Sequence, residues 1–175
     1  SGFYDDTQII YLSSPSINEV IYYTLDGSVP SRNSFIYDES IIINETTVLK
    51  ARSFEDFKLP GKVKVSTYLI DEEHHLATIS LAVNPETLWN DDIGIVENNF
   101  KQREIPATIQ YFNQETNFVF SINTGLRLGG LNIWTKPQKP FTIYTRDRFG
   151  EDFIQYQLFD GKQIAKFSRI VFRNG

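Results

Sequence analysis

Cysteine and methionine are absent from the 175 residues, and alanine occurs only five times. Without cysteine the chain can form no disulfide, no zinc–thiolate site and no thiol nucleophile. No apolar run approaches the roughly 18 residues that a membrane-spanning helix needs. The net charge of -5 argues against a general nucleic-acid or anionic-membrane binder, which is normally basic. We therefore expect no nucleic-acid partner and no transmembrane segment.

Branched and aromatic residues are abundant instead. Ile, Val, Thr, Tyr, Phe and Trp together account for 67 of the 175 residues. These side chains pack well on a pleated sheet and lose rotamer freedom in a helix. Because alanine, the best helix former, is scarce, the composition predicts an all-β protein.

Charge is distributed unevenly along the chain. Residues 1–75 carry a net charge of -6 and residues 76–175 a net charge of +1, which favours two units. The polar run at residues 71–75 separates them, so we predict domains at residues 1–72 and 73–175. His74 and His75 lie in this run. Adjacent histidines on an extended chain do not easily bind one metal, so we interpret them as linker residues and expect no metal site.

The first half shows short β-forming runs separated by turns. The runs lie at residues 20–25, 37–43, 47–54 and 63–70. This spacing is typical of a small β-sandwich. Asp26-Gly27 follows the first run and predicts a tight turn, although the Asp26 carboxylate is alternatively a calcium ligand or a general acid. Tyr22, Tyr23 and Tyr37 are interpreted as packing residues, with a sugar-stacking platform as the alternative.

The same residues carry a family resemblance over about residues 7–70. The segments that carry it are Ile21-Tyr22-Tyr23-Thr24-Leu25-Asp26-Gly27-Ser28-Val29-Pro30, Tyr37, Val48-Leu49-Lys50-Ala51-Arg52-Ser53-Phe54 and Thr67-Tyr68. This pattern resembles the immunoglobulin-like module at the C-terminus of chitobiase and β-hexosaminidase. In those enzymes the module is an accessory sandwich, so the resemblance implies a spacer or docking role.

The second half reads as a second, mostly antiparallel β unit with little helix. Strand-like runs are expected at residues 77–83, 105–112, 118–122, 141–144, 154–159 and 167–172. Asn84 followed by Pro85 predicts the start of a short helical turn. Residues 114–117 predict a hairpin tip. The complete prediction is therefore an immunoglobulin-like β-sandwich followed by this second β unit.

A glycine-rich segment, Gly125-Leu126-Arg127-Leu128-Gly129-Gly130, allows two interpretations. A phosphate-binding loop is one of them. No Lys-Ser or Lys-Thr pair follows, however, as the P-loop motif requires. The other interpretation, a bulge or a close approach of neighbouring strands, is favoured.

A second resemblance covers about residues 76–175. It rests on residues 77–83, Asn84-Pro85-Glu86-Thr87-Leu88-Trp89, Gly94-Ile95, residues 108–112, Gly125 to Gly130, Lys136 to Tyr144, Phe149-Gly150, residues 156–159 and residues 167–175. These segments resemble, in order, the N-terminal β region of CotH-type spore-coat atypical kinases. Bacterial surface proteins that place a chitobiase-like module ahead of a CotH region show the same order.

The CotH resemblance implies transfer of a nucleotide phosphate to Ser or Thr by a full-length parent. Arg127 and Lys139 would then be nucleotide-binding residues, although Lys136, Lys139, Arg146 and Arg148 are alternatively a solvated strand face. Trp134 is interpreted as a packing residue rather than a base-stacking one. Phosphoryl transfer needs a divalent metal and a positioned base, and the family's acidic residues lie beyond position 175. We therefore expect no catalytic residue and no cofactor here, with Mg-ATP relevant only to the parent.

Three functional hypotheses follow. The first is a non-catalytic fragment of an exported bacterial surface protein that serves as the spacer or docking module of a CotH-like protein. The second is a carbohydrate-binding or adhesion module, and the third is the nucleotide-binding portion of an atypical kinase. We expect an extracellular or cell-surface location with the signal peptide removed, and a protein or glycan partner at that surface.

Overall fold

The computed structural model describes residues 1–73, 75–98, 103–129, 138–159 and 161–173. Nearly all regular structure in these ranges is β, so the all-β prediction is confirmed. The elements up to residue 70 are β1 (Gly2–Tyr4), β2 (Gln8–Ile10), β3 (Val20–Thr24), β4 (Phe35–Ile36), β5 (Ile41–Ile43), β6 (Thr47–Phe54) and β7 (Lys64–Ile70). The later elements are β8 (Thr78–Val83), α1 (Pro85–Trp89), β9 (Ile105–Phe112), β10 (Phe118–Leu128), β11 (Phe141–Tyr144), β12 (Ile154–Gln155), β13 (Lys166–Phe167) and β14 (Arg169–Phe172).

The chain forms two compact units. One comprises Ser1–Ala82 and Gln110–Phe120, and the other comprises Val83–Ile109 and Ser121–Gly175. The domain boundary between residues 72 and 73 stays a prediction. No helix among the described residues has the length and apolar character that crossing a membrane requires.

A five-stranded sheet forms the main layer of the first unit, in the order β1-β7-β6-β3-β4. The β1–β7 pair is parallel, with Phe3 opposite Leu69. The β7–β6, β6–β3 and β3–β4 pairs are antiparallel. Because antiparallel neighbours can be joined by short connections, the turn-rich sequence between residues 20 and 70 suits this arrangement. The two-residue strand β4 forms one edge of the sheet.

A two-stranded sheet, β2-β5, also lies in the first unit. Its core is a cluster of buried side chains, Ile41, Ile43, Leu49, Tyr68 and Ile70. Ile41 and Ile43 are buried while Ile42 between them is 65% exposed. This alternation is expected when only one face of a strand packs against a core. The core therefore draws its residues from both sheets.

The second five-stranded sheet has the order β14-β11-β10-β9-β8. Leu126 of β10 lies opposite Ile143 of β11, and both side chains are buried. β11 also pairs antiparallel with β14. Asn84 caps α1, since its side chain accepts a hydrogen bond from the Glu86 backbone N–H at 3.1 Å, as predicted. The hairpin tip is also confirmed, because Asn113 N–H donates to the Asn117 carbonyl across it at 3.0 Å.

Several element predictions differ from the structure. β1 and β2 were not predicted, because three-residue strands are too short to show periodicity. The run at 37–43 is a strand only over Ile41–Ile43. The run at 154–159 is a strand only over Ile154–Gln155, because the chain turns soon afterwards, with Lys162 N–H bonded to the Phe159 carbonyl. The run at 167–172 is split at Ser168, whereas β10 extends six residues beyond the predicted end at Ile122.

Candidate functional site

A cleft in the first unit is the candidate functional site. It has a volume of about 500 Å³ and lies where β3 ends and β4 begins. We call it the Phe35 cleft. Its lining combines one aromatic residue, one aliphatic residue and five polar residues: Phe35, Leu25, Thr24, Asp26, Ser28, Asn33 and Ser34.

Residues 24–28 form one wall as a tightly bonded loop. The Ser28 backbone N–H and hydroxyl both donate to Asp26 Oδ1, at 2.9 and 2.6 Å. The Thr24 hydroxyl donates to the Ser28 carbonyl at 2.8 Å. Gly27 has a φ of 81°, in the left-handed region that glycine tolerates best. The predicted Asp26-Gly27 turn is therefore confirmed.

Hydrogen bonding from Ser28 lowers the pKa of Asp26 below its ordinary value. The hydroxyl bond is the largest contribution and the backbone bond is the next. Each bond favours the ionised carboxylate over the neutral acid. Asp26 is consequently an anionic acceptor at neutral pH and is poorly suited to act as a general acid there.

Lys50 supports this loop from within the first unit. Its side chain is buried, and Nζ donates to the Gly27 carbonyl at 2.5 Å. Burial lowers the pKa of Lys50, and the charge of Asp26 acts in the opposite direction. A buried ammonium group is costly unless it is bonded, so the Gly27 contact ties the loop to strand β6. Lys50 is a positioning residue that the sequence analysis did not single out.

Residues 31–34 form the opposite wall. The Ser34 backbone N–H donates to the Ser31 carbonyl, and the Ser31 N–H donates to the Ser34 hydroxyl, both at 3.0 Å. Arg32 fixes the outside of this loop through an ion pair with Asp56 at 3.1 Å. These bonds define the backbone on which Asn33 and Ser34 are presented to the cleft.

Phe35 provides the aromatic surface of the cleft. It is 65% exposed, and its ring centre lies 5.5 Å from that of Tyr23. Tyr22 is buried against Phe54, and Tyr23 and Tyr37 pack against the core cluster. The packing interpretation of the three tyrosines is therefore confirmed. The sequence analysis missed Phe35 because its second β run begins at residue 37, whereas Phe35 lies in the two-residue edge strand β4.

Arg127 and Lys139, the predicted nucleotide-binding residues, lie near each other in the second sheet's pairing scheme. Arg127 is in β10 opposite Thr142 of β11. The Gly129 N–H donates to the Pro140 carbonyl at 3.1 Å and so continues the bonding between the two chain segments. Lys139 is the residue before Pro140. Both side chains are half-buried. The nucleotide-binding assignment stays a prediction.

Gly125 lies inside β10 at a close approach of side chains. A Cβ atom at this position would lie within 2.5 Å of the Phe149 ring and even closer to the Glu104 carboxylate. The space that glycine leaves here is filled by two side chains, and both belong to residues outside the strands. Glu104 is itself held by Arg146 at 3.0 Å and by Arg148 at 2.6 Å. These two arginines therefore pair with a half-buried carboxylate while their own side chains stay 46% and 57% exposed.

Some residues that the sequence analysis named are not described by the structure, and the metal-site expectation concerns the others. Gly130, Trp134, Lys136 and His74 lie outside the described residues. His75 is exposed, and the described residues hold no group of three or more His, Cys, Asp or Glu side chains placed to bind a metal ion.

Comparison with known families finds one match. Residues 1–65 match the model of the chitobiase/beta-hexosaminidase C-terminal domain. This agrees with the first resemblance and contains all seven lining residues of the Phe35 cleft. The comparisons give no support for the CotH resemblance. Searches of curated proteins and of solved structures found no match to the chain.

Proposed function

We propose that this protein is a non-catalytic accessory module that binds a glycan in the Phe35 cleft. The observation that carries the proposal is the exposed Phe35 ring beside the polar side chains of Asp26, Asn33 and Ser34. Support also comes from the match of residues 1–65 to a domain named for two glycan-hydrolysing enzymes.

The chemistry of the cleft suits a sugar. An aromatic ring offers a flat apolar surface for the C–H face of a pyranose, and a few fixed polar groups give orientation and specificity. The Asp26 carboxylate accepts hydrogen bonds from hydroxyl groups, while the Asn33 amide both donates and accepts them. Because Asp26 is the only carboxylate among the seven lining residues, the cleft lacks the pair of acids that most glycoside hydrolases use.

Binding of chitohexaose is the direct test. Titration of the full chain, followed by ¹⁵N-resolved NMR, should give saturable shifts at residues 24–35. Phe35→Ala should weaken binding roughly tenfold, since loss of an aromatic contact costs about 1.5 kcal/mol and 1.4 kcal/mol corresponds to a factor of ten.

Phe57→Ala is the matched control, because Phe57 is a fully exposed phenylalanine outside the cleft. It should bind chitohexaose like the parent chain. The proposal would be wrong if both variants lost affinity for chitohexaose equally. It would also be wrong if no chitin-type or host glycan shifted the resonances of residues 24–35.

We further propose that the module belongs to an exported bacterial surface protein and serves there as the spacer or docking part of a CotH-like chain. The support is the order of the two resemblances and the accessory nature of the matched domain. In that setting the glycan or protein partner lies outside the cell. Sequencing of the complete gene tests this, and a reading frame lacking both an export signal and CotH-like sequence would contradict it.

Nucleotide binding is the second candidate function, and its support is that Arg127 lies in β10, which pairs with β11, while Lys139 lies two residues before β11 begins. Cationic side chains of this kind contact phosphates. Calorimetry with Mg-ATP should then give a binding isotherm that Lys139→Ala abolishes and that Lys162→Ala, an exposed-lysine control, retains. Absence of heat with the parent chain would refute this candidate and leave the glycan proposal intact.

A further inference from the structure

A second concave surface lies at the other end of β3. It is a groove of about 290 Å³ in the first unit. Ile21, near the start of β3, lines this groove, whereas Thr24, at the end of β3, lines the Phe35 cleft. We call it the Lys62–Lys64 groove. Its lining residues are Leu12, Ser13, Ser14, Pro15, Ile21, Ala51, Arg52, Ser53, Lys62 and Lys64.

The groove is positively charged although its surroundings are acidic. Residues 1–75 carry a net charge of -6, yet three bases and no acid line the groove. Lys62 and Lys64 are exposed, and neither makes an ion pair within the described part of the chain. Two like charges this close in sequence repel each other, so an anion between them would be favourable.

The third base is already engaged. Arg52 Nε donates to the Gly61 carbonyl at 2.7 Å, and its guanidinium lies 5.5 Å from the centre of the Phe54 ring. The acid Glu19 is bonded to the Ser14 hydroxyl at the edge of the groove. Arg52 keeps its positive charge but is oriented by these contacts, and the Glu19 carboxylate adds one negative charge near Ser14. Lys62 and Lys64 are the two exposed bases of the lining and are therefore the groups that a bound anion reaches.

The rest of the lining suits an organic anion. Leu12, Pro15 and Ile21 provide apolar surface, and the hydroxyls of Ser13 and Ser53 provide hydrogen-bonding groups. A single inorganic ion would use none of the apolar surface, whereas a sugar ring would use both kinds of group. We propose that the Lys62–Lys64 groove binds an acidic saccharide, with its carboxylate paired to the two lysines.

The test compares three probes on the full chain by ¹⁵N-resolved NMR: hexagalacturonate, chitohexaose and inorganic phosphate. Hexagalacturonate should shift resonances at residues 12–15, 51–53 and 61–64, and its affinity should fall as salt rises, because exposed charges are screened. The double variant Lys62→Gln/Lys64→Gln should weaken this binding at least tenfold. Lys58→Gln removes one positive charge outside the groove and should change it less than twofold.

Three outcomes would overturn the proposal. They are the absence of saturable shifts with hexagalacturonate, binding of inorganic phosphate as tight as that of hexagalacturonate, and equal losses in the Lys58 variant and the double variant. The Phe35 cleft is tested separately, since Phe35→Ala should leave hexagalacturonate binding unchanged. Conversely, the lysine double variant should leave chitohexaose binding unchanged. The two proposed binding sites are therefore tested independently of each other.

Discussion

At the scale of single residues, Asp26 shows how one short motif serves both fold and site. Its carboxylate closes the turn by accepting two bonds from Ser28 and also faces the candidate cleft as a lining group. Lys50 holds the adjacent Gly27 carbonyl from the interior. The loop is thus held in place by contacts within the chain, so the glycan that we propose would bind without the cost of ordering it.

The lowered pKa of Asp26 leads to a stability prediction. Because the folded-state pKa lies below the ordinary value of 3.8, the ionised carboxylate stabilises the fold above that pH. This stabilisation is lost as the pH falls through the folded-state pKa, since the unfolded chain binds its proton first. Asp26→Asn keeps the acceptor of the turn but does not titrate. The parent's stability advantage over Asp26→Asn should therefore be constant from pH 5 to 7 and shrink below pH 4.

Urea unfolding of both proteins at several pH values measures this difference. We expect an advantage below about 1 kcal/mol, because Asp26 is exposed and solvent screens its interactions. Asp6→Asn serves as a control for the loss of an exposed acid. An advantage that grows as the pH falls would contradict the assignment of Ser28 as the group that stabilises the carboxylate.

Sequence reasoning succeeds for residues whose role is local. Asp-Gly predicts its turn because the bonds run between neighbours, and Asn84 predicts its cap for the same reason. Phe35 and Lys50 escaped prediction because their roles depend on distant pairing. Phe35 is exposed because β4 is an edge strand, and Lys50 is buried because Gly27, 23 positions earlier, folds over it.

At the scale of elements, the strands with clear alternation were predicted and the strands set by long-range pairing were not. β3, β6, β9 and β11 were predicted to within one residue at each end. β1 is stable because it pairs in parallel with β7, about 66 residues later. The three residues of β1 are too few to show an alternating pattern, so the sequence does not indicate this pairing. The extension of β10 likewise depends on its pairing with β11 over Gly125–Leu128.

The helix α1 gives the element-scale prediction. It is only five residues long and too short to be stable without its capping and tertiary contacts. Asn84→Ala removes the acceptor of the Glu86 N–H and should destabilise the protein by about 1 kcal/mol. Asn84→Asp keeps an acceptor and should be nearly neutral. Chemical unfolding of the three proteins measures this, and equal stability of the alanine variant and the parent would show that the cap contributes nothing.

At the scale of the whole molecule, the residues matched by the family model are fewer than the residues of the first compact unit. The match ends at residue 65, whereas β7 continues to Ile70 and lies between β1 and β6 in the sheet. The same unit also includes Gln110–Phe120. There Gln110 is buried and donates to the Val65 carbonyl at 3.0 Å, and Phe112 lies edge-on to Phe3. The matched segment alone therefore lacks part of its own packing.

A fragment of residues 1–65 should consequently fail to fold. It loses Tyr68 and Ile70 from the core cluster, and burial of each such side chain contributes roughly 1.5–3 kcal/mol to a total stability of only about 5–15 kcal/mol. It also leaves β1 without its partner. A fragment of residues 1–72 keeps β7 and should give a dispersed amide spectrum, with lower stability than the full chain because Gln110 and Phe112 are missing. A dispersed spectrum from the shorter fragment would show that β7 is dispensable, and an unfolded longer fragment would place the true boundary beyond residue 72.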